Sequence, residues 1–203
     1  MEILPINQER QKLILIISLG YILPVLLLHF KIIPFSWRFY ILILAAIAIL
    51  AITRLYKFSL IELGFTRQHL GISFKVIALP TLASVLLMLI NYMMQGARID
   101  NSTYKLGFYL FFVTVSSPLQ EFLYRGFLFA VFSRAKLAPW LMILLSSLLY
   151  SFVHLIYQDV PTLLFTFIIG VLWGMNYASY RNLYSIIFSH SVLGVVAILV
   201  GQV

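Results

Sequence analysis

Pro118-Leu119-Gln120-Glu121-Phe122-Leu123-Tyr124-Arg125-Gly126 sets a carboxylate and a guanidinium four residues apart inside an otherwise apolar run. On a helix, Glu121 and Arg125 sit one turn apart on the same face, close enough to pair. Ionisable side chains at membrane depth are costly, face the protein interior and commonly mark function. Two later apolar runs carry one central histidine each, His154 and His190. The surrounding chain is 63% hydrophobic and only 10% charged, which separates it from soluble globular domains. The fold class is therefore all-α, a polytopic transmembrane helical bundle.

A spanning helix needs about 20 mainly apolar residues. Working outward from the central stretch, the sequence predicts spans at Leu106–Phe132, Pro139–Tyr157, Pro161–Ser179 and Leu183–Gly201, preceded by Leu13–Phe30, Phe39–Ile52 with its flanks, and Val76–Met94. That makes seven spans, or eight if the fourth breaks near Ser116-Ser117, where Pro118 predicts a kink or a break. The first run has no small-residue cleavage site after it and reads as a retained helix. Arg54–Lys75, with Leu60, Ile61, Leu63, Leu70 and Ile72 among charges, reads as a short interfacial helix and turn. Gly170 and Gly174 have the small-xxx-small spacing of closely packed helices. Residues 1–203 form one membrane domain, with amino-terminal helices over 1–105 and the motif-bearing half over 106–203.

The net charge of +8 comes from basic residues at the ends of apolar runs, a topology signal rather than a nucleic-acid surface. With seven spans and the amino terminus in the cytoplasm, nine inner residues (Arg10, Lys12, Arg54, Lys57, Arg67, Lys75, Arg134, Lys136, Arg181) face four outer ones (Lys31, Arg38, Arg98, Lys105). This bias places the amino terminus in the cytoplasm. No nucleic-acid partner is expected, and the lipid bilayer is. The absence of cysteine excludes disulfides, thiolate metal sites and a cysteine nucleophile.

Glu121 and Arg125 allow a bland reading, a structural ion pair, and a sharper one, a catalytic carboxylate tuned by burial and by the guanidinium. His154 follows Tyr150 by one helical turn, so both project from one face. Two mid-membrane histidines together with Glu121 and Arg125 favour a shared site. His29 and His69, at a helix end and in a polar loop, read as ordinary residues. Glu and two His are the ligand types of a catalytic zinc, so a divalent metal such as zinc stays open, although no HExxH spacing occurs. Ser116, Ser117, Ser189 and Ser191 lack the context of a nucleophilic serine.

At these residues the sequence resembles the CPBP family (CAAX proteases and bacteriocin-processing enzymes, also called the Abi family) of intramembrane endopeptidases. The family pattern is EExxxR on one helix, FxxxH on the next and HxxxN or a similar ending on the last. Here the corresponding stretches are Gln120-Glu121-Phe122-Leu123-Tyr124-Arg125-Gly126, Tyr150-Ser151-Phe152-Val153-His154 and His190-Ser191-Val192-Leu193-Gly194. The resemblance covers roughly Phe108 to the end. It implies a glutamic, or metal-dependent, protease acting on a membrane-associated peptide or protein, such as a lipidated tail or a leader peptide. Glu121 would act as base or as partner to a water held by Gln120. His154 would orient that water and shuttle its proton, His190 would stabilise the oxyanion, and Arg125 would hold Glu121. Resemblance and small size together point to a bacterial inner membrane.

Three departures from the pattern matter. Tyr150 replaces Phe, a mild change. Gln120 stands where the family has its first, water-activating Glu, and an amide cannot act as a base. Gly194 stands where the family has the Asn that partners the second histidine at the oxyanion. Adjacent helical residues point about 100° apart, so Glu121 could replace the first Glu only on a rotated or kinked helix. Gln120 thus reads as natural variation with the chemistry run from Glu121, as an engineered Glu→Gln change, or as the mark of a non-catalytic relative. Natural variation is favoured, because Gly194 departs as well. The rival function is a catalytically inactive membrane protein that binds a partner or confers immunity. A transporter ranks third, since the inverted repeats or paired broken helices it would typically show are not visible.

Overall fold

The computed structural model describes residues 6–202; residues 1–5 of the polar opening segment and residue 203 lie outside that range. All regular structure among the described residues is helical. Helix α1 runs Ile6–Ile17, continues through a π-helical turn at Ser18–Ile22, and ends as Leu23–His29. A 3-10 turn at Phe35–Trp37 leads into α2, Arg38–Leu55. Helix α3 is Leu70–Gln95 and α4 is Leu106–Arg134. Helix α5, Pro139–Val153, passes into a 3-10 turn at His154–Tyr157, and α6 (Val160–Tyr180) and α7 (Leu183–Leu199) complete the bundle. Six of these helical segments are long and apolar enough to cross a membrane. The seventh, α7, has 17 residues, which at 1.5 Å per residue is about the shortest length that spans a hydrocarbon core. The protein is a multi-pass membrane protein.

Two expectations change. The fourth run does not break at Pro118, so there is no eighth span: α4 is one continuous 29-residue helix. It takes up the proline by widening, with π-helical turns at Phe112–Ser116 and Phe122–Phe127 on either side of Ser117–Glu121. A wide turn relieves both the missing N–H and the ring clash of a proline. The polar interlude holds no interfacial helix; residues 56–69 form successive turns, and α3 starts at Leu70, ahead of the expected Val76. A reciprocal cap, Ser59 N–H to Glu62 Oε2 at 2.7 Å and Glu62 N–H to Ser59 Oγ at 3.2 Å, satisfies that chain locally instead. Burial pushes the Glu62 carboxyl up, but the Ser59 donors and the Arg134 guanidinium outweigh it and hold it below its usual value. The Glu62–Arg134 tie (2.9 Å) therefore persists at neutral pH and is lost as pH falls through that lowered value.

Helices α1, α2, α4 and α6, and the 3-10 turn that extends α5, are each followed within two residues by a left-handed residue: Lys31, Lys57, Lys136, Arg181 and Gln158 respectively. Four of the five are cations, which suit the negative end of a helix dipole. At the other ends, Asp159 caps α6 through the Thr162 N–H (2.9 Å) and Asn182 caps α7 through the Ser185 N–H (3.3 Å). The Asn182 amide also donates to the Thr66 and Gln68 carbonyls, fixing the turn segment against α7.

The outer faces of α2 and α3 present Leu44, Ile47, Leu79, Leu82 and Leu87 in the open, as a helix solvated by lipid does. Helix α4 has the opposite character. Every residue from Glu121 to Phe132 is buried, so this half of α4 is the axis about which the bundle packs. Small polar residues join its neighbours: Ser73 of α3 bonds Asn176 of α6 and Ser185 of α7, both at 2.6 Å. Gly170 and Gly174 behave as their spacing predicts. A Cβ on Gly170 would lie 3.3 Å from Ser147 Cβ and one on Gly174 3.1 Å from Ile143 Cγ2, so α6 rides closely on α5.

Candidate active site

The axis of the bundle delivers the charged pair. Glu121 and Arg125 are both 0% exposed, and Arg125 Nη1 donates to Glu121 Oε1 at 3.2 Å. The guanidinium is fixed on its other sides as well. Nη2 donates to the Gly170 carbonyl at 3.2 Å, and its carbon lies 4.5 Å from the centre of the Tyr150 ring and 5.1 Å from that of Trp173. The close α5–α6 packing at Gly170 is what brings that carbonyl within reach.

The same carboxylate oxygen, Oε1, meets His190 Nδ1 at 2.6 Å. A carboxylate only accepts, so Nδ1 carries the proton and Nε2 is the nitrogen turned away from Glu121. Trp173 stacks on His190 with 4.8 Å between ring centres, and its Nε1 donates to Ser189 Oγ, which also meets Thr81 Oγ1. His154 is held in the same manner. Its Nδ1 donates to the Tyr150 carbonyl at 2.8 Å, which leaves Nε2 free. Tyr150 bridges the two imidazoles, with its ring 4.9 Å from His154 and 5.6 Å from His190. Its hydroxyl lies 3.4 Å from His190 Nε2.

Gln120, His154 and His190 line one cavity of about 100 Å³, together with Ser116, Tyr150 and Gly194. The Gln120 amide Nε2 donates to Ser116 Oγ at 3.0 Å, leaving its carbonyl oxygen as an acceptor. Glu121 does not line this cavity; it lies behind His190, and its Oε2 is buried with no partner among the described residues. All five sequence-predicted residues thus gather in one place, with Gln120, His154 and His190 at the cavity and Glu121 and Arg125 behind it. His29 and His69 stay away from it: His29 Nδ1 meets the Leu155 carbonyl, and His69 precedes α3. Arg38, Tyr104, Phe112 and Trp173 also line the cavity, and no sequence signal marked them.

Position 194 has a steric reason to be glycine. A Cβ built there would overlap the Phe112 ring, which itself packs edge-on to His190 at 5.8 Å between ring centres. Gly194→Asn should therefore destabilise the bundle by about 1–3 kcal/mol through overpacking, and Phe112→Ala in the same chain should relieve it. Thermal unfolding in detergent reads both, and an unaffected single variant would contradict this packing.

Among the described residues no three His, Cys, Asp or Glu side chains converge on one point, and Glu121 Oε1 is engaged by Arg125 and His190.

Residues 102–196 match the family model described as type II CAAX prenyl endopeptidase Rce1-like. Over these residues the chain is similar to that family. Among curated proteins and solved structures, none matches the chain. The Rce1-like segment begins just before α4 and closes inside α7, so it contains Gln120, Glu121, Arg125, Tyr150, His154, His190 and Gly194. Arg38 and Phe39, which complete the cavity from α2, lie outside it.

Proposed function

We propose that this protein is an intramembrane endopeptidase that hydrolyses a peptide bond of a membrane-associated peptide or protein. The observation that carries the reading is the single cavity faced by Gln120, His154 and His190, with the Glu121–Arg125 pair buried behind His190. A water accepted between the Gln120 carbonyl oxygen and His154 Nε2 is the nucleophile. His154 Nε2 takes a proton from it as the water oxygen bonds to the carbonyl carbon, and the carbonyl electron pair moves onto oxygen. His190 in its imidazolium form offers an Nε2–H to that oxyanion, with Glu121 supplying the counter-charge at Nδ1. Collapse breaks the C–N bond, and His154 returns the proton to the leaving nitrogen. Glu121 acts in this scheme through His190, orienting its ring, while Arg125 fixes Glu121. The membrane would be a bacterial inner membrane, with the amino terminus in the cytoplasm.

One feature favours the rival reading, a catalytically inactive relative that binds a membrane partner. The group facing the cavity at position 120 is an amide, which cannot take a proton. The discriminating experiment is proteolysis by the purified protein in liposomes, using S-farnesylated carboxyl-terminal peptides and apolar leader peptides. Glu121→Gln, His154→Ala, His190→Ala and Gln120→Glu run beside it, each with and without chelator. Cleavage by the unaltered chain that disappears on changing either histidine establishes the peptidase. Cleavage by Gln120→Glu alone would show an enzyme silenced at that position, and silence across the panel would favour the partner-binding protein. Loss of cleavage with chelator would overturn the metal-free scheme.

A further inference from the structure

We infer that the Tyr150 hydroxyl is a second donor to the oxyanion, making up for the polar side chain that position 194 lacks; this rests on the peptidase reading above. The Tyr150 side chain is buried on α5 at the centre of an aromatic cluster. Its ring packs edge-on to Tyr124, Trp173, His154 and His190 and lies under the Arg125 guanidinium. A phenylalanine would make every one of those ring contacts. The hydroxyl is therefore left unexplained by packing, and a buried hydroxyl is costly unless it is hydrogen-bonded. Its one hydrogen-bond contact among the described residues is the long 3.4 Å approach to His190 Nε2, at the wall of the cavity.

Several of the polar groups nearby already have partners. Gln120 Nε2 donates to Ser116, Thr166 Oγ1 to the Thr162 carbonyl, and Trp173 Nε1 to Ser189. From α7, one turn beyond His190, glycine 194 presents no donor, and the space a side chain would enter is filled by Phe112. Tyr150 Oη is thus the hydroxyl that touches a catalytic imidazole nitrogen and faces the cavity. When His190 carries a proton on Nε2 and offers it to the oxyanion, Nε2 has no lone pair left to accept from the phenol, and the phenol O–H is free to turn to the same substrate oxygen. No proton leaves the phenol; it stabilises negative charge as that charge develops, which raises kcat without tightening the ground state.

The test is Tyr150→Phe, which keeps the ring and every aromatic contact. With the S-farnesylated peptide as substrate, kcat should fall about 100-fold with KM within about twofold, the pattern of a lost oxyanion donor. A phosphinate analogue of that peptide, tetrahedral and anionic at the scissile position, should bind at least about tenfold more weakly to Tyr150→Phe. The planar alkene isostere should bind both proteins equally, which also reports that the variant is folded. An unchanged kcat, or an equal loss of affinity for both analogues, would overturn the inference. If the unaltered chain cleaves nothing, the peptidase reading fails by itself. The two analogues still decide for Tyr150, since a phosphinate preference that survives Tyr150→Phe removes it from the oxyanion site.

Discussion

Glu121→Ala should lower the stability of the bundle by about 3–5 kcal/mol, the scale on which a fully buried ion pair is broken by removing one partner. The cause is the partner left behind. Arg125 is 0% exposed, and its guanidinium would keep only the Gly170 carbonyl and two aromatic faces as partners. Glu121→Gln should cost less, because the amide fills the same volume and can still accept from Arg125. Glu121→Leu combined with Arg125→Met should recover most of the loss, since an apolar pair of similar volume replaces the charges without desolvating any. Unfolding in mixed micelles with increasing sodium dodecyl sulfate measures all three. A double variant as unstable as Glu121→Ala would show that the stability resides in packing at these positions instead of in the charge balance.

His154→Ala should have the largest effect on turnover, a loss of about 10²–10⁴-fold, the range attributed to a positioned general acid–base group. Its effect on stability should be small by comparison. The imidazole is half-buried at the end of α5, where its contacts include one carbonyl bond, an edge-on approach to the Tyr150 ring and a tilted one to the Tyr157 ring. The useful comparison is with His190→Ala, which strips the Glu121 carboxylate of its 2.6 Å partner and the Trp173 ring of its stack. That variant should lose activity and stability together, whereas His154→Ala should lose activity nearly alone. Cleavage rates and unfolding midpoints on the same preparations separate the two. Equal destabilisation by both changes would mean that His154 is as structural as His190.

The helices are legible in the sequence because a bilayer demands about 20 apolar residues, and runs of that length are unmistakable. Their ends are less so. Lys75 and the mixed residues before it suggested that the third helix begins at Val76, yet it starts at Leu70 and carries that lysine within its first two turns. Charged and imidazole residues stand out against an apolar background, which is why Glu121, Arg125, His154 and His190, which gather in one place, could be named as candidates from the chain alone. Phe112 and Trp173 could not, because an aromatic residue in a membrane helix looks the same whether it faces lipid or a buried imidazole. Nor could the placement of Glu121 behind His190 be read from the sequence. It depends on the azimuth of two neighbouring side chains, and that is set by the two π-helical turns of α4.

Those turns bracket Ser117–Glu121, and each is a place where a helix absorbs one residue more than its ordinary turn holds. Passing a single residue from one wide turn to the other would slide the bracketed segment by one step of register. That step is about 100° of rotation and 1.5 Å of rise. The slide would carry the carboxylate of Glu121 to the azimuth now held by the Gln120 amide, with the helix beyond either bracket left in place. Which of two adjacent side chains meets the cavity is then a matter of phase along one helix, adjustable without changing the identity of either residue.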